Sequence, residues 1–253
     1  VRFEVAGQAF RTARGIVRSL CIYYGDRSRA AAMDRLYGGF VQRGDLVLDI
    51  GAHVGDRVAS FRRLGARVVA VEPQPALVRV LRLLYGRGTE VAIEAAAVGR
   101  AAGQTGMLIN ADNPTVSTAS PAFVRAACDA PGWENQYWMK SVSVPMTTLD
   151  VLIGKYGIPA FIKIDVEGFE EEALQGLSGP VKALSFEFTT IQRPIALACI
   201  ARCVALGYTK FNAALGESQA LVNGDWVGGE DIARWLAGLP HAANSGDIYA
   251  ALV

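Results

Sequence analysis

The chain has 253 residues, 51% of them hydrophobic, and a formal net charge of +1 at pH 7. That length fits one large α/β domain with an appended segment, and the composition marks a globular chain. The near-neutral balance gives no reason to expect a nucleic-acid partner, and no apolar run reaches the roughly 18–20 residues that span a bilayer.

Residues 1–43 read as a basic helical cap, and 44–253 as the domain it serves. Phe10, Ala13, Val17, Leu20 and Tyr24 recur at helical spacing and make one apolar stripe, with Arg11, Arg14 and Arg18 elsewhere on the helix. The stripe is expected to pack on the domain. The alternative is a cap that helps bind an anionic substrate or a membrane surface. The arginines come without the continuous apolar core of a secretory signal. Four cysteines form neither a disulfide framework nor a zinc pattern. Cys199 and Cys203, one helical turn apart, read as buried thiols, and a reducing cytoplasm is the expected compartment.

From Asp45 onward strands and helices alternate. A strand at Val47–Ile50 leads through Gly51 and Gly55 into a helix over Asp56–Leu64. A second strand, Arg67–Val71, ends in Glu72-Pro73, and a helix follows over Pro75–Tyr85 with Pro75 suited to its first turn. Two apolar runs that each end in an acid, the first followed by a glycine turn, are a recipe for holding an adenosine-containing cofactor at the carboxyl edge of a parallel sheet. Glu72 stands where a carboxylate can accept both ribose hydroxyls. The glycine spacing is Gly51-x-x-x-Gly55, with His53 where a dinucleotide fingerprint has its middle glycine. Asp49 suits a ligand carrying an ammonium and a sulfonium and repels a pyrophosphate, so the spacing favours S-adenosylmethionine over NAD.

A third strand is expected at Glu90–Glu94, running on to Ala97-Val98-Gly99. The segment 99–147 breaks the rhythm and reads as an insertion: one or two short strands and a lid over the substrate side, or a satellite hydrophobic cluster. Within it Asn113 and Ser117 are candidate contacts to cofactor or substrate. Alternation then resumes with helix Leu149–Tyr156, strand Ala160–Asp165, helix Glu170–Gly176, strand Lys182–Phe188, helix Pro194–Leu206 and strand Tyr208–Asn212. A short helix over Glu230–Leu236 and a last strand over Asp247–Leu252 close the chain. Such alternation argues for a doubly wound parallel sheet.

Asp49-Ile-Gly-Ala-His-Val-Gly, Glu72-Pro73, Ala97-Val98-Gly99, Thr148-Leu149-Asp150 and Lys163-Ile-Asp-Val-Glu-Gly168 occur in that order. Together they resemble the FkbM-type S-adenosylmethionine-dependent methyltransferases, over a span from Asp45 to Phe188. The Lys-Ile-Asp-Val-Glu-Gly element after Thr-Leu-Asp is the specific part. The resemblance implies a class I methyltransferase fold, Rossmann-like, with a doubly wound seven-stranded sheet whose last strand is antiparallel. It also implies O-methylation of a hydroxyl on a sugar, glycan or secondary metabolite. By the same resemblance Asp49, Gly51, Ala52, His53, Gly55, Glu72, Pro73, Ala97, Val98 and Asp165 surround S-adenosylmethionine. His53 stands where the family more often has asparagine.

Methyl transfer to an alcohol needs a base or a metal near the acceptor. Asp165 ends the strand beside the first one and is the leading candidate for base or metal ligand. Its neighbour Glu167 is expected to be aimed differently, and either acid could instead order the loop or hold the amino-acid end of the cofactor. Glu187, at the end of the next strand, is a second acid on the same edge. His53 could act as a base, although a structural hydrogen bond inside its loop is the simpler role. Asp150 and the run Glu170, Glu171 and Glu172 read as helix-start acids, with Thr147 or Thr148 as a cap. No residue is assigned to a metal, and a divalent ion is left open. The expected partner is a small hydroxylated molecule, and a homo-oligomer is compatible with the chain. The competing functions are an NAD-dependent oxidoreductase, which Glu72 suits but Asp49 does not, and a binding module that has lost turnover.

Overall fold

The computed structural model describes the backbone of residues 2–252 and the side chains of residues 10–252. Helices α1 (Arg2–Tyr24) and α2 (Arg27–Tyr37) come first, then β1 (Leu46–Ile50), α3 (Asp56–Arg63), β2 (Arg67–Val71), α4 (Pro75–Tyr85), β3 (Val91–Glu94) and β4 (Ala97–Val98). Next are β5 (Gly103–Ile109), α5 (Pro121–Cys128), β6 (Lys140–Thr147), α6 (Leu149–Tyr156), β7 (Phe161–Ile164) and α7 (Glu170–Gln175). The chain ends with β8 (Ala183–Thr189), α8 (Arg193–Ala205), β9 (Lys210–Leu215), α9 (Gly229–Gly238) and β10 (Ser245–Ala251).

Every residue of β1 is buried, so both of its faces carry apolar cover. One face packs with Leu48 and Ile50 against Leu149, Leu174 and Ile200, and the other with Val47 against Tyr37, Val58 and Phe61. Strand β1 lies between β2 and β7 and is parallel to both. The chain runs outward from β1 through β2 to β3, then restarts on the other side with β7 and β8, in the sheet order β3-β2-β1-β7-β8-β10-β9. Between β1 and β7 the two directions part, and this opens a crevice at their carboxyl ends. This is the expected seven-stranded sheet, with β10 antiparallel between β8 and β9. Because β10 runs backward, its first residues reach the crevice edge, and Asp247 is in register with Glu187.

Three expectations need correction. The third strand does not continue to Val98. Strand β3 stays beside β2, whereas β4 turns away to join a separate three-stranded sheet, β4-β6-β5. The insertion is more regular than expected: β5 and β6 pair antiparallel from Gly103↔Met146 to Ile109↔Lys140, with α5 between them. Ser120 caps α5 by accepting from the Phe123 amide.

The third correction concerns the N-terminal stripe. The basic segment is two helices, broken at Gly25 and restarted by Asp26, which accepts from the Ser28 and Arg29 amides. Most of the apolar stripe of α1 faces outward: Phe10 is 69% exposed and Val17 58%, Ala13 is exposed and Leu20 half-buried, and only Tyr24 at its end reaches the turn after β1. The face turned to the domain is small and polar instead. A Cβ on Gly15 would lie 2.7 Å from Pro114 Cδ, so only glycine permits that approach. Arg11 and Arg14 pair with Asp112 beside it. Close backbone approach plus ion pairing decided which face docks, and helical periodicity carries neither.

Candidate active site

The turn after β1 is built on backbone geometry. Gly51 and Gly55 have φ of +83° and +85°, in the left-handed region that glycine enters without strain. A Cβ on Gly51 would sit 1.7 Å from the carbonyl oxygen of Asp165, so β1 and β7 converge here as closely as bare backbone allows. Gly55 precedes α3, where a Cβ would strike Tyr85 and Leu81. The amides of Gly51 and Ala52 both donate to the Val71 carbonyl, at 2.9 and 3.0 Å, which ties the turn to β2. From outside, Tyr24 donates to the Val54 carbonyl and Tyr85 to that of Gly55.

Glu72 closes the other side of the turn. It is 2% exposed, with Oε2 accepting from the His53 amide at 3.0 Å and Oε1 from the Gln74 amide at 2.8 Å. Burial outweighs these bonds and pushes its carboxyl up to about 8. Asp49, 1% exposed, is pushed up to about 7 by burial, against the opposing charge of Lys163. Its Oδ2 has no hydrogen-bond partner. Two buried acids held towards their neutral forms, one with an oxygen that no protein donor reaches, can accept hydrogen bonds from a small molecule.

The cleft itself opens onto about 820 Å³ of space, mouth and adjoining solvent included. Asp49, Gly51, Ala52, His53, Glu72, Pro73, Ala97, Val98 and Asp165 all line it. Gly55 shapes the turn from behind without lining it. Ser117 reaches the cleft from the insertion, whereas Asn113 faces a separate hollow beside α1. The His53 ring meets Tyr23 edge-on, with centroids 5.5 Å apart, and burial drives its pKa down to about 4. A neutral, weakly basic imidazole in a left-handed turn residue is suited to shaping the wall.

At the carboxyl end of β7 the geometry is charged. Lys163, fully buried, donates to Asp165 Oδ2 and to Asp247 Oδ1, each at 3.0 Å. Burial opposes the charge on Asp165, but Lys163 and then Arg57 outweigh it and hold Asp165 below the ordinary carboxylate range. Glu167 corrects the expectation that it is aimed elsewhere. Its φ of +55° turns it back, so that Asp165, Glu167 and Glu187 converge with one oxygen from each within 4.8 Å of the others. Burial, and next the charge on Asp165, raises both glutamates well above their usual range. Glu170 also departs from a plain helix-start role: its Oε1 accepts from the Val166 and Gly168 amides and so pins this turn. Thr148 caps α6, while Asp150 accepts from the Ser178 amide.

Several cleft residues carried no assigned role in the sequence. Tyr23 arrives from α1, Thr115 from the insertion and Glu217 from the loop after β9. Arg57 and Arg29, both largely buried, pair with the buried Asp56 and with Glu217, whose side chain is half exposed at the rim. Burial alone would raise Glu217, but Arg57 and Arg29 reverse this and bring it to about 2. Only Lys163 left a readable signal, a lone cation inside the apolar strand Phe161-Ile162-Lys163-Ile164. Cys199 and Cys203 are buried in the core, as expected.

Comparison with known proteins follows this geometry. The family described as "Methyltransferase FkbM domain" matches residues 49–197. Among curated proteins, none matches the chain. Among solved structures, the chain is similar to a precorrin-6Y C5,15-methyltransferase from Geobacter metallireducens, at 13% identity and a TM-score of 0.42, covering 88% of this chain and 86% of that one. A TehB-like SAM-dependent methyltransferase from Corynebacterium glutamicum matches at 12% identity and 0.43, covering 87% and 86%. A 1,6-didemethyltoxoflavin-N1-methyltransferase from Burkholderia thailandensis matches at 12% and 0.42, covering 99% and 90%. Likeness at this level adds no weight beyond the family match and the strand order. Among the described residues, no helix is long and apolar enough to cross a membrane.

Proposed function

The chain belongs to the FkbM methyltransferase family, and we propose that it transfers a methyl group from S-adenosylmethionine to a hydroxyl of a small neutral molecule, a sugar, glycan or secondary metabolite. One observation carries this reading. Two buried carboxylates flanking a glycine turn, Asp49 and Glu72, open into the same cleft as a carboxylate held ionised at the switch point, Asp165. In the reading, Glu72 accepts the ribose hydroxyls and Asp49 faces the cationic amino-acid end of the cofactor. S-adenosylmethionine supplies a methyl group already activated on its sulfonium.

Asp165 then accepts the hydroxyl proton of the acceptor as the new carbon–oxygen bond forms and the carbon–sulfur bond breaks. The stable contribution of the chain is orientation: near-attack placement of oxygen and methyl carbon supplies much of the acceleration. Lys163 is a positioning residue, because it fixes Asp165 against Asp247 without lining up on the acceptor itself.

The charge of the cleft narrows the acceptor. Asp165 and Glu217, both held ionised, and Asp56 line it against Arg57 and Lys163, while Asp49, Glu72 and Glu167 are pushed towards their neutral forms. A wall rich in hydrogen-bonding carboxyls with little net charge suits neutral polyols. Its two cations are already paired with acids, which leaves none for a pyrophosphate, so the oxidoreductase reading finds no support here. Residues 1–43 are proposed as a cap, since Tyr23 enters the cleft wall from α1.

The test is calorimetric titration with S-adenosylhomocysteine beside NAD. Micromolar binding of the former and none of the latter is expected, with loss of binding in Asp49→Ala and Glu72→Ala. Asp165→Asn should keep that binding and lose methyl transfer to hydroxylated acceptors. Retained binding in both alanine variants would sink the cofactor reading.

A further inference from the structure

Four acids meet at the switch point. Asp165, Glu167, Glu187 and Asp247 lie around Lys163, which is committed to Asp165 and Asp247, with Arg57 adding a more distant positive charge, so Glu167 and Glu187 have no cation of their own. Glu167 is 7% exposed, and its hydrogen bond from Thr118 Oγ1 goes to the backbone carbonyl. Among the described residues its carboxylate has no donor. Asp165 accepts from Lys163 at Oδ2 and also shares a side-chain hydrogen bond with Glu187.

A separate observation comes from the opposite side of the turn. Gln192, from the segment between β8 and α8, is 8% exposed, and its Oε1 has no hydrogen-bond partner. That oxygen presses on Gly168, the residue after Glu167, so closely that a Cβ there would lie 2.2 Å from it. Gln192, Gly168 and Glu187 line one small hollow. An amide carbonyl buried without a donor, beside carboxylates short of cations, supplies the oxygen type that hard divalent ions select.

We propose that Asp165, Glu167 and Glu187 form a site for a hard divalent cation of the magnesium or calcium class, backed by the Gln192 amide oxygen. Carboxylate oxygens within 4.8 Å of one another can share one ion at oxygen–metal distances of about 2.0–2.6 Å. Positions facing the cleft stay open for the acceptor. There the cation would hold the acceptor oxygen beside Asp165 and ease loss of its proton. Vicinal hydroxyls, which offer two neutral oxygens, are the ligand class that fits. The role in transfer rests on the reading under Proposed function, but cation binding does not.

The experiment is titration of the whole purified chain with Mn²⁺, read by loss of the free-ion EPR signal, with Mg²⁺ and Ca²⁺ as competitors. It is run with and without S-adenosylhomocysteine. One saturable ion per chain is expected, displaced by Mg²⁺ or Ca²⁺ and weakened at least tenfold in Glu187→Gln and in Glu167→Gln. Gln192→Leu, a milder change behind the triad, should weaken it several-fold and guards against loss of folding in the acid variants. Absence of Mn²⁺ binding, or equal binding in all three variants, would overturn the site and leave the cluster held by shared protons. S-adenosylhomocysteine binding is measured on the same samples. If it persists while Mn²⁺ fails, the cation site falls and the methyltransferase reading stands; the reverse result separates them the other way.

Discussion

On the proposed reading that Glu72 accepts two ribose hydroxyls, its carboxyl must lose a proton first, so affinity for S-adenosylhomocysteine should depend steeply on pH. In the ligand-free protein its carboxyl sits up at about 8, from burial. At pH 6, two pH units lower, only about one molecule in a hundred carries the ionised form, and at pH 7 about one in eleven. Binding that selects this form should therefore tighten about tenfold from pH 6 to pH 7, and several-fold more by pH 8, before levelling. Asp49, raised to about 7, adds a second proton to the lower part of this range. The slope should thus exceed one proton below pH 7 and approach one above it. The sign is fixed: a raised carboxyl binds a proton in the empty cleft, so acid competes with the cofactor and base promotes it. Isothermal titration in two buffers of different ionisation enthalpy counts the protons released. Glu72→Gln should abolish most of the slope. It also leaves one of the His53 and Gln74 amides facing an NH₂ group, which costs about 1–3 kcal/mol. A dissociation constant flat between pH 6 and 8 in the wild type would refute the reasoning, since Glu72 would then be ionised before the ligand arrives.

Gly51→Ala should lose cofactor binding more than a hundredfold and melt lower. The left-handed backbone alone costs about 1–2 kcal/mol, and the new methyl must push aside the Asp165 carbonyl. Unchanged binding by titration would show that β1 and β7 can part freely. Lys163→Met strands Asp247 in the core and leaves Asp165 unpaired at the cleft, a loss of about 3–5 kcal/mol, or roughly 6–20 °C in melting temperature. Double replacement with Asp247→Asn should recover part of it, and a melt within 2 °C of wild type would contradict the pairing. On α1, Val17→Ser should change stability by less than about 0.5 kcal/mol, whereas Gly15→Val, driven against Pro114, should detach the helix and expose Tyr23 to solvent. Denaturant melts and tyrosine fluorescence of the two variants distinguish the docked face from the free one.

Local signals placed most of the sheet. Strand β2 and helices α4 and α6 begin and end where the periodicity, Pro75 and the Thr148 cap put them. The cleft wall around the β1 turn was readable for the same reason. Asp49, Gly51 and Glu72 are placed there by backbone geometry and strand ends, which a short stretch of chain encodes. Where signals were long-range the reading failed. The stripe Phe10, Val17, Tyr24 has helical spacing whether it faces solvent or protein, and only the fit of Gly15 to Pro114 chose between them. Strand β4 left the main sheet because its partner, β6, lies some fifty residues further along the chain.

Taken by itself, the order of amino acids determined the doubly wound sheet, the glycine turn and the two acids that flank it, because each is a property of neighbouring residues. Tertiary structure alone decided the electrostatics at the β7 end of the cleft. Lys163 finds Asp247 across the sheet through an antiparallel strand, Arg57 finds Glu217, and Glu167 meets Glu187 through a left-handed turn. Charges interact through space, and their balance in a buried cleft is set by which strand ends the fold brings together.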